Sequence, residues 1–528
     1  MSAATADGAF DAFPTRTIIR ALVIAALLIG WEAAARLTAG AFIIAGPSEI
    51  ASHLWTHAGL IARALAATVQ AAALGFVIGN LAAIALACLA LFLPRFEPVI
   101  AGLALVFFCL PLVATGPILR VVMGPGDGPQ VALAALAVYF TTFLPLMVGL
   151  RAAPASWFDL VRSYGGGRMA ELVQIRAAAS VPYLAAGLQI AAPAAFLGAM
   201  IGEFTGAERG MGVLTIQAMR ALDVPATWAL AVVASATAMA AYALFGWAGR
   251  RLSAAPPSIL MAGPPQEGRS RVGGLALGLL TLGLVLAIWQ LGMDAFGLSP
   301  FFAKRPADVW AFLATAPEAA ADRAFLFAAY LDTMGHAVPG YLAGLVAGAG
   351  LAAAIILYPG LSKTVLPVAV ALRSIPIVTT APLIVLALGR GAAGTVTIVA
   401  VMIFFPTLVA CLQGLRQTPA QVLDMFDSYE AGRWSRLLHA QIPAMMPAFF
   451  AAARMAVPAA ILAATTAEWL ATGTGMGGLI ALTASTSGYG MLWSATVLMA
   501  ATAVIAYLGV QALERLVLGV FASEQLAR

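Results

Sequence analysis

The stretch Asp159–Arg168, DLVRSYGGGR, returns 265 positions later (424 − 159 = 265) as Asp424–Arg433, DMFDSYEAGR. Both are polar, helix-compatible segments in a chain that is otherwise apolar. Each follows an apolar span ending in Gly-Leu-Arg, Gly149–Arg151 and Gly414–Arg416, and each is followed by another apolar span after Pro182 or Pro447. A polar helix set between the same two spans in both halves of a chain reads as a paired docking surface. The rest of the sequence is organised to hold the two surfaces and to open a path between the halves.

Composition places the chain in lipid. It is 62% hydrophobic and 10% charged, with a mean hydropathy of +0.96, whereas a soluble domain carries about 25% charged residues. The apolar runs are long and continuous rather than alternating, which favours membrane-spanning helices over a barrel. The net charge of +5 reports topology rather than nucleic-acid binding. Cys88, Cys109 and Cys411 sit inside apolar runs and read as packing residues. His53, His57, His336 and His439 are scattered. No catalytic or metal-ligand constellation is visible, so neither an enzyme, a metal site nor a cofactor is expected. His53 and His57 have i,i+4 spacing but read as a solvated helix face.

Twelve spans are expected. The first half supplies Ile18–Leu37, Thr68–Leu93, Val99–Val122, Val131–Leu150, Pro182–Ile201 and Ala226–Trp247. The second supplies Gly273–Leu291, Met334–Leu357, Thr364–Leu388, Gly394–Leu415, Pro447–Thr466 and Met491–Gln511. Arg16 and Arg20 ahead of Ala21–Gly30 also suit a signal peptide; the span at Gly273–Leu291 in the second half favours a retained helix. Between the halves, Arg250–Arg271 is rich in Pro, Gly and Arg and reads as a linker. The expected division is 1–249, 250–271 and 272–528.

The offset of 265 pairs Thr68 with Thr333, Gly75 with Gly340, Pro94 with Pro359, Tyr164 with Tyr429, Arg168 with Arg433, Glu203 with Glu468, Trp228 with Trp493 and Arg250 with Arg515. Shared apolar composition does not align Gly, Pro, Trp and charges at one offset without a gap. An even number of spans per half makes the repeat parallel, about an axis along the membrane normal. With the N-terminus inside, basic residues favour the inner segments by about two to one. This sets both polar stretches, the linker and both termini in the cytosol, and leaves the loop at about Asp294–Tyr330 outside.

These features resemble a known family, the permeases of ABC importers, and within it the nitrate/sulfonate/taurine type. The family's cytoplasmic loop has an acidic residue, two small residues, three variable ones, then Gly-Ala, and ends in a proline pair before the next span. Here that loop is Asp159, Gly165 and Pro182, and again Asp424, Ala431, Pro443 and Pro447. Departures are Glu430 at the motif glycine, Ala178 at a late proline, and Leu160-Val161 and Met425-Phe426 for a small pair. A second mark is Glu-x6-Gly-x-Gly, seen as Glu203, Gly210, Gly212 and as Glu468, Gly475, Gly477; these glutamates are expected to orient Gly loops at the outer face. Arg373-Ser-Ile-Pro376 also looks like that subgroup. The resemblance covers nearly the whole chain twice.

It implies an all-α integral membrane protein: two tandem six-helix type I importer permease domains, about twelve transmembrane helices, in a bacterial inner membrane. It implies two cytosolic ATPases coupling through Asp159, Ser163, Tyr164, Gly165, Gly167 and Arg168 and through Asp424, Ser428, Tyr429, Ala431, Gly432 and Arg433. It also implies an extracytoplasmic substrate-binding protein and a small anionic solute. No Gly-x4-Gly-Lys-Ser/Thr loop is present, so ATP hydrolysis is expected on another subunit. Arg373, Arg454 and His336 fall within second-half spans, opposite Phe108, Gln189 and Ala71 of the first. Ionisable groups at membrane depth suggest function, so Arg373, Arg454, His336 and Gln189 are candidates for the translocation path. The alternative is an ion-gradient-driven secondary transporter, which needs buried carboxylates; Glu203 and Glu468 stand only at span ends.

Overall fold

With no water to satisfy backbone groups, a chain this apolar must bond each peptide within its own helix. The computed structural model describes residues 12–38, 44–252, 271–362, 381, 384, 388, 389 and 391–521, and among them there is no strand. The first half runs α1 Ala12–Leu37, α2 Pro47–Thr56, α3 Ala58–Phe92, α4 Glu97–Phe108, α5 Leu112–Met123, α6 Gly128–Gly149, α7 Ala155–Ser163, α8 Arg168–Phe204, α9 Met211–Arg220 and α10 Val224–Leu252. The second runs α11 Arg271–Ala295, α12 Pro306–Ala314, α13 Ala319–Leu357, α14 Ala392–Arg416, α15 Ala420–Ser428, α16 Arg433–Thr472, α17 Gly475–Ser485 and α18 Tyr489–Phe521.

Among the described residues nine helices are long and apolar enough to cross a membrane, and ten if the bent pair α4–α5 counts as one span. The 26-residue α1 lies where the first span is expected. The expected span Thr364–Leu388, with Arg373 and Ser374–Pro376, lies almost wholly outside the described residues. The fold is all-α and membrane-spanning, built twice over.

The third expected span, Val99–Val122, is not one straight helix. Its two pieces, 12 residues each, meet at 90°. Pro111 heads α5 with φ −67° and ψ 113°. It has no N–H to continue the ladder, and its ring disfavours helical backbone in the residue before it. Each piece is about 18 Å long, too short to cross a hydrocarbon core of about 30 Å alone.

Lipid tails are as apolar as leucine, so close packing rather than burial holds such helices together. Gly75 of α3 lies so near α6 that a Cβ would sit 2.4 Å from Ala134 Cβ, and a Cβ on Gly340 of α13 would sit 2.6 Å from Val399 Cβ of α14. The faces of α3 turned away from this contact expose Leu74, Val77, Ile78 and Leu81. Such faces are solvated by lipid at no cost.

The halves interlock. Ala114 and Ile118 of α5 pack with Ile461, Met476, Leu479 and Ile480 of the second half. Val113, Ile201 and Phe204 meet Leu462, Trp469 and Leu470. Helix α11 crosses onto α4, where Gly102 lies against Thr281. Trp31 of α1 rests on Trp228 of α10 with ring centroids 5.5 Å apart, and Trp289 of α11 stacks on Trp493 of α18 at 5.3 Å.

Candidate functional site

The two polar stretches fold alike. Pro154 and Pro419, both extended (ψ 144° and 135°), start nine-residue helices at positions exactly 265 apart, α7 and α15. Neither helix buries a single residue. Ser163 Oγ donates to the Leu160 carbonyl and Ser428 Oγ to the Met425 carbonyl, each at 2.7 Å. Each helix ends through a left-handed residue, Gly165 (φ +78°) and Glu430 (φ +49°). The backbone at Glu430 keeps the conformation that glycine adopts freely, at a cost of about 1 kcal/mol. A short turn through Gly167 or Gly432 leads into Arg168 and Arg433, the first residues of α8 and α16. Both helices then widen into a π-helical turn, Glu171–Arg176 and Leu437–Gln441.

Large apolar side chains stand out from both faces: Trp157, Leu160, Tyr164 and Met169 in one, Met425, Tyr429, Trp434 and Leu438 in the other. The tyrosines are 86% and 81% exposed, so neither serves the fold. Ala431 is half-buried beneath its loop, its N–H bonded to the Phe426 carbonyl at 2.9 Å, as Gly166 N–H is to Val161.

An ion pair staples each of these polar helices to the span that follows. Arg162 Nε donates to Glu171 Oε1 at 2.8 Å, and this bond holds the Arg162 guanidinium above its usual range. In the second half Arg436 is hydrogen-bonded to Asp427. These are the same two positions (162 + 265 = 427; 171 + 265 = 436) with the charges exchanged. The member on the short polar helix is the exposed one in both copies, 61% for Arg162 and 57% for Asp427. Asp159 also lies 3.9 Å from Arg162, while Asp424 has no ion pair among the described residues. Arg176 adds a first-half contact, donating to the Leu150 carbonyl at 3.0 Å and covering the Phe158 ring; the second half has Gln441 there.

At 37 and 40 residues, α8 and α16 are about 55 and 60 Å long. They carry the exposed polar helices at one end and a second constellation at the other. Glu203 and Glu468 are 3% and 0% exposed. Glu203 accepts from Thr68 Oγ1 at 2.6 Å and from the Gly212 N–H at 2.6 Å, and Thr68 Oγ1 accepts from the Met211 N–H at 2.8 Å. The copy repeats the same residue pairs, but both bonds to the carboxylate fall on Oε2. Glu468 accepts from Thr333 Oγ1 at 2.8 Å and from Gly477 N–H at 2.9 Å, and Thr333 accepts from Met476 N–H at 2.7 Å. Each clamp fastens the N-terminus of a short helix, α9 or α17. The glycines are dictated by space. A Cβ on Gly210 would lie 2.2 Å from Glu203 Cδ, and one on Gly475 2.5 Å from Glu468 Cδ. Gly212 and Gly477 would meet carbonyls of Met200 and Thr465 at 2.7 and 2.2 Å. Thr68 and Thr333 complete both clamps. The only mark they leave in the sequence is their place in the repeat.

The interior candidates separate. Arg454 Nη1 lies 3.1 Å from Glu514 Oε2, both side chains largely buried. The first half has Gln189 and Gly249 at these positions (514 − 265 = 249), so both partners are missing together. Gln189 packs against Gly246 instead. His336 lies beside Glu468, with Nδ1 3.6 Å from Oε1, and so belongs to a clamp rather than to the neighbourhood of Arg454. His53 and His57 stack at 4.2 Å on α2 and α2–α3; burial, then the nearby His57, hold His53 below its ordinary range. Among the described residues no group of three or more His, Cys, Asp or Glu side chains is arranged to hold a metal, and Cys88, Cys109 and Cys411 are free thiols.

Comparison with known proteins gives the same repeat. The profile of the binding-protein-dependent transport system inner membrane component family matches residues 75–254 and 340–519, again 265 apart (340 − 75 = 265). A probable ABC transporter permease protein of Haemophilus influenzae is 28% identical over 229 residues, 43% of this chain and 93% of its own length. The riboflavin transport system permease protein of Chloroflexus aurantiacus is 29% identical, covering 39% of this chain and 75% of its own length. The formylaminopyrimidine transport permease protein of Halalkalibacterium halodurans is 25% identical, covering 38% and 82%. The paired bundles, the duplicated match and these relatives lead to one conclusion: the chain belongs to the binding-protein-dependent transport system inner membrane component family, a multi-pass ABC transporter permease of the bacterial inner membrane whose ATPase is a separate subunit.

Proposed function

We propose that residues 1–249 and 272–528, joined by a cytoplasmic linker at 250–271, form a single alternating-access path within one chain. Two copies of a cytosolic ATPase engage Asp159–Arg176 and Asp424–Gln441. A substrate-binding protein delivers solute to the opposite face of the membrane, and both chain termini lie in the cytosol. The observation that carries this reading is the duplicated docking helix. It has nine residues, none buried, with an almost fully exposed tyrosine at its end, in the same place in both halves. An exposed apolar face of this kind calls for a protein partner. The ion-pair staples join each face directly to a span of about 55–60 Å, so displacement of the docking helix is passed on to the membrane. Rocking of the halves follows from ATPase closure, with no covalent chemistry on this chain.

The solute we favour is a small nitrogen heterocycle of the kind named for two relatives, a flavin and an aminopyrimidine. The charge of Arg454 is compensated by Glu514, which leaves Arg373 as the residue on which a simple anion would depend. Proteoliposomes holding the chain, its co-purifying ATPase and its binding protein test the reading. Uptake is expected only with ATP, and only while Asp159–Arg168 and Asp424–Arg433 are intact. Uptake by the chain alone under a pH or sodium gradient would overturn it in favour of a secondary transporter.

A further inference from the structure

The second-half clamp has two ionisable neighbours that the first-half clamp lacks. His336 and Asp332 stand where the first half has Ala71 and Ala67 (336 − 265 = 71; 332 − 265 = 67). His336 lies between two carboxylates. Its Nδ1 is 3.6 Å from Glu468 Oε1 and its Nε2 is 3.9 Å from Asp332 Oδ1. Glu468 is fully buried, and Asp332 is 44% exposed. Glu468 Oε2 is already engaged by Thr333 and Gly477. Glu468 Oε1 and His336 Nδ1, both buried, have no hydrogen-bond partner. They face each other across a gap just beyond hydrogen-bond length.

A neutral imidazole carries one N–H. Between two carboxylates it can donate to one and must turn a lone pair towards the other. An imidazolium donates to both. We propose that His336 is a proton-binding site, holding a second ring proton between Glu468 and Asp332, so that one of the two clamps is closed by an imidazolium and the other is not. The proton reaches the site through Asp332, the exposed member of the three.

No other charge competes for this position. Among the described residues, the ion-pair contacts of His336 are with Asp332 and Glu468 alone. Helix α17 has no ionisable side chain, and α14 has only Cys411 and Arg416, in its distal half. On α16 the next charge is Arg454, about 21 Å along the helix and paired with Glu514. On α12, Asp308 accepts from the Arg305 backbone N–H at 2.9 Å. On α5, Arg120 donates to the Gly126 carbonyl. On α18, Glu514 and Arg515 lie near the end remote from α17, and Tyr489 and Tyr507 are the remaining titratable side chains.

The sign follows. At low pH the imidazolium supplies Glu468 Oε1 with the donor it otherwise lacks, and the loop Gly473–Gly477 is held on both carboxylate oxygens. As pH rises and His336 loses its second proton, that contact goes and the loop is held on one. The first-half loop, beside Ala67 and Ala71, has no such dependence. Loss of the proton therefore loosens one end of the permease and leaves its twin unchanged.

Histidine labelled with 15N and 13C in the full chain, in lipid vesicles, reads the site directly by solid-state NMR. The chain has four histidines, and loss of one signal in His336→Gln assigns it. The expected result is a ring protonated on both nitrogens at about pH 6, whose titration moves to lower pH in Asp332→Asn and in Glu468→Gln. Amide exchange across residues 470–485 should gain at least tenfold over its intrinsic pH dependence once His336 is neutral, with residues 205–220 unaffected. A ring that is neutral at about pH 6, or one whose titration neither substitution moves, overturns the proposal. Asp332→Asn leaves every hydrogen bond of the clamp in place, so the test stands if Glu468→Gln does not fold.

Discussion

Thr68→Val is the sharpest test of the clamps, because valine keeps the shape of threonine and removes only the hydroxyl. Two bonds go with it: the 2.6 Å donation to Glu203 Oε1 and the 2.8 Å bond accepted from the Met211 N–H. A hydrogen bond to a carboxylate contributes about 1.5–3 kcal/mol and a neutral one about 0.5–1.5, and both groups left behind are buried, so the loss is about 2–4 kcal/mol. A chain of this size and architecture does not unfold in one step, so the effect is best read locally. Residues 205–220 open by local fluctuation, and their amide exchange reports the free energy of that opening. At about 1.4 kcal/mol per factor of ten, exchange should rise roughly 30- to 1,000-fold. Residues 470–485 of the other clamp should be unchanged. Thr333→Val should give the mirror result. A rise below about threefold at 205–220 would mean that Thr68 is replaceable by water or by relaxation, and the clamp would lose its place in the account.

Other outcomes follow from the same geometry. Arg454→Gln strands Glu514 in a largely buried site and should cost about 3–5 kcal/mol. Adding Glu514→Gly reproduces the first-half pair Gln189 and Gly249 and should recover most of the loss, read by thermal unfolding in lipid nanodiscs. Gly477→Ala drives a Cβ to 2.2 Å from the Thr465 carbonyl oxygen and should destabilise by at least about 1–3 kcal/mol, read as lost expression of folded protein. Arg162→Glu sets two acids together at the first staple. Because Arg162 is 61% exposed, solvent screens the repulsion and the stability change is small. ATPase retention and ATP-driven uptake should nonetheless fall, and Arg162→Glu with Glu171→Arg should restore them.

Much of this was legible in one dimension because it repeats. The offset of 265 aligns Pro154 with Pro419 and Glu203 with Glu468, and the two polar helices begin and end at that register to the residue. Local chemistry covered the rest of the outline: apolar runs of span length, proline at helix starts, glycine where space forbids a Cβ. What stayed hidden depends on contacts between distant segments. Pro111 breaks the third span into helices at 90°, yet Pro117, six residues on, sits inside a helix without breaking it; only the neighbours of each distinguish them. Thr68 reaches Glu203 across 135 positions. Glu514 neutralises Arg454 across 60 positions (514 − 454 = 60), and nothing near either residue announces the other. The exchanged charges at 162/171 and 427/436 look, in an alignment of the halves, like two unrelated mismatches.

That exchange determines how the two halves can be recombined. Grafting the helix 155–163 alone onto the second half would set the arginine of position 162 against Arg436, two cations where a bond should be. Grafting 155–176 as one block carries Glu171 along with it and keeps the pair. The smallest transferable piece of this permease is therefore not the short polar helix but the helix together with the first turns of the span behind it, and a chimaera cut between them is mismatched at its own ion pair.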